Sequence, residues 1–183
     1  MADLFQNKYR IESARLKSID YNNGYFFVTF CTKDREHSLG EISDGRMILS
    51  TIGEFASKTI TEIQNHHPYC SVESFVIMPN HIHAIFYVAH NTNKQNSNVQ
   101  HTSDNDLNVN RQMQMTSKRK GRLSTVVGSL KSAIKRFATD NDIPFEWQTR
   151  FHDHFIRNTE EMAAIKTYIE NNIGTWLGDE FYD

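Results

Sequence analysis

Only Pro79 and Asn80 stand between two runs of strand-forming residues, VESFVIM over 72–78 and HIHAIFYV over 81–88. Two residues can reverse an antiparallel pair, whereas a parallel connection takes a dozen or more. The middle of the chain is thus committed to a β-hairpin, and any fold must be built around it.

The flanking segments supply the partners. GYFFVTFC at 24–31 is aromatic and β-branched and is entered from Asn22, Asn23 and Gly24, which predicts a central strand. Over 50–64 the apolar residues Ile52, Phe55, Ala56, Ile60 and Ile63 recur at helical spacing behind Ser50, a natural cap, and the helix should end near His66, His67 and Pro68. A second helix is expected from Leu123, capped by Ser124, with Val127, Leu130, Ile134 and Phe137 as its stripe. Residues 144–148 read as a connection and 149–157 as a fourth strand. Asn158 with Glu161 resembles a capping box opening a last helix, which should run to about Asn172 and stop at Gly174. The order strand, helix, strand, strand, helix, strand is the α+β ferredoxin-like βαββαβ pattern, here with an extra C-terminal helix. In that pattern the helices pack on one face of an antiparallel sheet and the other face is left to receive something.

Length and composition fit one domain over residues 1–183: twelve Phe, seven Tyr and two Trp suffice for a sizeable core. Residues 90–115 are rich in Asn, Gln, Ser and Thr, which predicts a flexible loop reaching to about 117. Asp179, Glu180 and Asp183 make a short acidic tail over 177–183. No stretch approaches the roughly 18 apolar residues of a membrane span, and MADLFQNKYR lacks a signal-peptide core, so the expectation is a cytoplasmic protein without a membrane partner. Cys31 and Cys70 are too few for a disulfide scaffold or a cysteine zinc site.

The net charge of -2 conceals a segregation. Between Leu107 and Thr139 there is no acid, while Arg111, Lys118, Arg119, Lys120, Arg122, Lys131, Lys135 and Arg136 all fall there. A polyanion responds to local charge within a Debye length of about 8 Å. Lys118, Arg119, Lys120, Arg122, Lys131 and Lys135 are therefore the candidate contacts to a nucleic-acid backbone, against the alternative of a solvated surface cluster.

His81 and His83 lie two residues apart on a strand, so alternation sends both imidazoles to one face, with Cα atoms roughly 6.6 to 7 Å apart. Two neutral imidazoles so placed can share a divalent cation. Taken alone, the pair reads as two half-exposed polar residues near a turn; a functional reading needs a third ligand and a reactant. On the last helix Met162, Ile165 and Ile169 mark the buried stripe, with Tyr168 and Asn172 one turn apart at its margin. A margin tyrosine can present its hydroxyl to a cleft and an amide oxygen can join a metal's coordination sphere, although packing and capping are the ordinary roles. His152 and His154 read as support, with Asp153 on the opposite face, and Trp147 and Phe151 as packing residues.

These segments resemble the single-tyrosine HUH transposases, specifically the bacterial REP-associated tyrosine transposase type. The resemblance rests on YFFVTFCTKDREHSLGEI, VIMPNHIHAIFYV, LSTVVGSLKSAIKRF and EWQTRFHDHFIRNTEEMAAIKTYIENNIGTW, and MPNHIH is its most specific part. It implies that His81 and His83 hold a metal, that Tyr168 is the nucleophile, and that Asn172 is the third ligand. The chain reads NNI where many relatives have Asn then Pro, and its 90–115 loop has no counterpart.

The implied activity is cleavage and rejoining of single-stranded or hairpin DNA through a 5′-phosphotyrosine, assisted by Mg²⁺ or Mn²⁺. The resemblance leaves both a homodimer and a monomer open. Three other readings share some of these features: a rolling-circle or relaxase-type nickase, a noncatalytic nucleic-acid-binding module, and a metal hydrolase in which water attacks.

Overall fold

The computed structural model describes residues 20–89, 121–178 and 181. Four strands form one antiparallel sheet: β1 (Gly24–Cys31), β4 (Cys70–Ile77), β5 (His81–Val88) and β6 (His152–Ile156), in the order β4-β5-β1-β6. This is the ferredoxin-like order, with the first strand and the second hairpin strand at the centre. The predicted hairpin forms with Ile77 opposite Ile82, and β4 carries a bulge between Val72 and Ser74.

One face of the sheet is covered by α1 (Thr51–Thr61) and α2 (Arg122–Asp140). Phe26, Val28 and Phe30 of β1 and Ile82, Ala84 and Phe86 of β5 point there. They pack with Ile52, Ala56 and Ile60 of α1 and Leu123, Val127, Leu130 and Ile134 of α2. Ser50 caps α1 as expected, its side chain accepting from Gly53 N at 3.1 Å. α2 begins one turn earlier than predicted: Gly121 occupies the cap position and Ser124 lies inside the helix. Trp147 packs at the edge of this core and donates its ring N–H to Lys131 O at 3.1 Å.

Two expectations are corrected. A second hairpin, β2 (Gly40–Ser43) with β3 (Arg46–Leu49), lies between β1 and α1. Its signal was present in the Asp44-Gly45 pair, whose φ angles of 51° and 69° are the positive values that a type I′ turn needs.

More consequentially, the second sheet face is not left open. α3 (Thr159–Asn171) and the 3₁₀ segment Ile173–Gly178 pack across it, building a second core from Phe27, Val76, Met78, Ile85, Ile156, Ile169 and Trp176. Gly174 does not end the helical path, because the chain continues through it in a tighter turn. The physical reason is supply of apolar surface: Ile173 and Trp176 beyond the helix bury against the sheet and hold the chain down.

The whole 90–117 loop, the basic residues Lys118, Arg119 and Lys120, and the acids of the tail lie outside the described residues. No helix among the described residues is long and apolar enough to cross a membrane.

Candidate functional site

The site forms where β5 and β1 meet α3. Register places Thr29 of β1 opposite His83 and Cys31 opposite His81. Because Ile82 faces the α1–α2 core, both histidines face α3. They are fully buried, against the expectation of half-exposed side chains, since α3, Trp176 and Phe181 close over them. Their ring centroids are 4.5 Å apart at 67°.

Each imidazole is held at Nδ1. His83 Nδ1 is 2.7 Å from Thr29 Oγ1, and its ring stacks at 5.1 Å on Phe27. His81 Nδ1 is 2.9 Å from Asn80 Oδ1, and Asn80 in turn donates through Nδ2 to Phe181 O at 2.7 Å. The Phe181 ring lies 4.6 Å from that of His81. Burial pushes His83 down to about 3 and holds His81 well below the ordinary imidazole range, with the charges of His83 and Arg35 adding to the second effect. Both are therefore neutral at physiological pH.

Tyr168 reaches this pair from α3. Its hydroxyl lies 3.2 Å from His83 Nε2, and its ring meets His83 and Phe27 edge-on, with centroids at 5.3 and 6.2 Å. The helix is aimed by its first turn. Asn158 Oδ1 accepts from Glu161 N at 2.8 Å, but the Glu161 carboxylate does not return to Asn158 as a capping box would. It accepts instead from Arg157 N at 2.8 Å and pairs with His154 Nε2 at 2.7 Å. Burial raises the Glu161 carboxyl, and those two partners outweigh it, so the group sits below its usual range. His154 thus ties α3 to β6, two turns ahead of Tyr168.

Asn172 ends α3 and is fully buried, not marginal. Its backbone carbonyl accepts from Thr175 N at 3.2 Å, in the turn that leads to Trp176.

A divalent cation suits this chemistry. His81 Nε2 is a buried ring nitrogen with no hydrogen-bond partner, an arrangement that costs free energy unless something else uses it. Among the described residues no group of three His, Cys, Asp or Glu side chains could hold a metal, so a ligand set built on the two histidines differs from an all-His, Cys or carboxylate cluster. Two imidazoles with an amide oxygen form a mixed nitrogen–oxygen set that Mn²⁺ accepts and Mg²⁺ tolerates less readily.

Of the predicted DNA contacts, the three that are described fall elsewhere. Arg122, Lys131 and Lys135 sit on α2, on the sheet face opposite the histidines. Arg122 donates to Ala89 O at 2.5 Å and lies over the Tyr69 ring. Lys131 donates to Gln148 O and Arg150 O, and Lys135 to Phe145 O and the Glu146 carboxylate. All three have hydrogen bonds within the protein.

Sequence reasoning did not single out Thr29, Asn80 or Phe181. Thr29 could have been found from β1–β5 register once the hairpin was placed. Asn80 read as a turn residue, and Phe181 lay hidden in an acidic tail.

A ferredoxin-like sheet with a buried histidine pair on a central strand, met by a helical tyrosine from the C-terminal side, defines the architecture. The same fold is found in a solved structure of a REP-associated tyrosine transposase bound to a REP hairpin. The two share 18% identity with a TM-score of 0.57, over 89% of this chain and 74% of that one. An uncharacterized protein of Haemophilus influenzae is 28% identical over 176 residues, covering 93% of this chain and 92% of its own. No family model matches the chain.

Proposed function

We propose that this protein is a REP-associated tyrosine transposase of the HUH type, which cleaves and rejoins single-stranded DNA at a hairpin through Tyr168. The observation that carries the reading is the 3.2 Å approach of the Tyr168 hydroxyl to Nε2 of His83, across the sheet–helix interface. The fold shared with a transposase bound to a REP hairpin supports the substrate class.

In the reaction the Tyr168 hydroxyl loses its proton and its oxygen attacks the scissile phosphorus. The phosphorus–O3′ bond breaks, the 3′ oxygen takes up a proton, and the 5′ phosphate stays on tyrosine. A free tyrosine has a pKa near 10, so about one in a thousand is ionised at neutral pH and the phenol needs help. While no cation occupies its Nε2, His83 orients the phenol and does not act as a base, since burial leaves its nitrogen too weakly basic to keep the proton. The proton goes to solvent or to the departing oxygen. A divalent ion held by His81, His83 and Asn172 would supply Lewis-acid polarisation of the phosphate oxygens. The covalent linkage conserves phosphodiester energy, so a second 3′ hydroxyl can reverse the step without ATP.

The acid-free segment that includes Lys118, Arg119 and Lys120 is the part of the chain best suited to hold the DNA stem. Arg122, Lys131 and Lys135 add their charge from α2 while bonded within the protein. Incubation with labelled hairpin DNA and Mn²⁺ should yield a denaturation-resistant adduct that Tyr168→Phe abolishes. An adduct that survives this substitution would move the nucleophile elsewhere, and cleavage without any adduct would favour attack by water.

A further inference from the structure

An asparagine in a two-residue turn is ordinarily explained by its tolerance of turn geometry, and it is ordinarily exposed. Asn80 is fully buried, and both its amide nitrogen and its amide oxygen have a hydrogen-bond partner. Its backbone carbonyl also accepts from Thr32 N at 2.8 Å and from Thr32 Oγ1 at 3.0 Å, which fixes the turn under the side chain.

The direction of its amide follows from its partners. Phe181 O can only accept, so the amide nitrogen must face it, at 2.7 Å. The amide oxygen is then turned to His81 Nδ1 at 2.9 Å, and since that oxygen can only accept, Nδ1 must carry the hydrogen. A neutral imidazole has one N–H, so Nε2 is left with its lone pair, and Nε2 is the buried nitrogen with no partner.

We infer that Asn80 is a positioning residue that locks His81 in the Nδ1–H tautomer, presenting the Nε2 lone pair to a divalent cation, and is itself aligned by the backbone carbonyl of Phe181. The purpose rests on the metal-dependent reading above, whereas the tautomer rests on hydrogen bonding alone. Asn80 thereby links the C-terminal segment to the orientation of one ring. The role is that of the outer partners that orient metal-binding histidines generally.

The test is nitrogen-15 spectroscopy of the histidine rings in the metal-free protein, with Mn²⁺ titrated separately by paramagnetic broadening. The parent should show His81 protonated at Nδ1. Asn80→Ala should lose that preference and bind Mn²⁺ about 10- to 100-fold more weakly. Asn80→Asp keeps an acceptor for Nδ1–H but sets a carboxylate oxygen against the Phe181 carbonyl, and should recover the tautomer and only part of the affinity.

His81 protonated at Nε2 in the parent would overturn the proposal, and this reading needs no substitution, so it stands even if a variant fails to fold. Unchanged tautomer and affinity in Asn80→Ala would also overturn it. If no variant and not the parent bind Mn²⁺, while the tautomer follows Asn80 as described, the tautomer lock holds and the metal reading fails.

Discussion

Thr29 Oγ1 lies 2.7 Å from Nδ1 of His83, and the opposite nitrogen of that ring lies 3.2 Å from the Tyr168 hydroxyl. One imidazole thus spans from a central strand to a helix that arrives from the far end of the chain. Thr29 is buried, so its hydroxyl is not replaceable by water.

Thr29→Val keeps the side-chain shape and strands a buried ring nitrogen, which should cost about 1–3 kcal/mol of stability. Thr29→Ser should return most of it. Urea midpoints at constant slope measure both, and a valine variant as stable as the parent would remove this hydrogen bond from the account.

Removing divalent cations should stop adduct formation without unfolding the protein. A cation bound to the folded state would also stabilise it by mass action, so Mn²⁺ at about 100 times its dissociation constant should add about 2.7 kcal/mol to the parent. His81→Ala should gain little. Equal thermal shifts in both proteins would place any bound ion away from this pair.

Acid should weaken the fold in a defined window. His83 sits at about 3 and His81 well below its ordinary value because both are buried, whereas in the unfolded chain each titrates near 6.5. The unfolded state therefore binds more protons below about 6.5, and the histidines' contribution, complete above that pH, is lost as pH falls toward the folded value. The slope rises from about 0.7 kcal/mol per pH unit for each histidine at pH 6.5 toward a limit of about 1.4 at lower pH. Urea midpoints between about pH 6.5 and pH 5.5, above most carboxylate titration, should drop steeply in the parent and less so in His83→Gln. Parallel slopes would contradict the buried, neutral assignment.

DNA affinity should fall steeply with salt. Replacing Lys118, Arg119 and Lys120 together with Ala should make the slope of log affinity against log salt less negative by about 3. An unchanged slope would take these residues out of the interface. Lys131→Ala and Lys135→Ala should alter it less, because both ammonium groups are bonded to carbonyls of the connection that precedes β6.

Much of the fold is legible from residue pattern. The VESFVIM and HIHAIFYV runs across Pro79-Asn80, the Ser50 cap and the Asn158 cap all encode local geometry, and each appears where the sequence places it. The β2–β3 hairpin was equally encoded by Asp44-Gly45 but short enough to be overlooked. Register then made Thr29 derivable in principle. What pattern could not reveal was the fate of the second sheet face: Tyr168 and Asn172 share a helix face by spacing, yet spacing says nothing of what that face covers.

The sequence by itself determined the strand and helix order, the common face of His81 and His83, and the one-turn relation of Tyr168 to Asn172. These depend on periodicity, which the chain carries locally. Tertiary structure alone decided that the histidines are buried and neutral, that Tyr168 meets His83, and that Phe181 is bonded to Asn80. Each of these contacts joins residues 85 or more positions apart, and only the packing of α3 and the tail against the sheet determines which side chains meet.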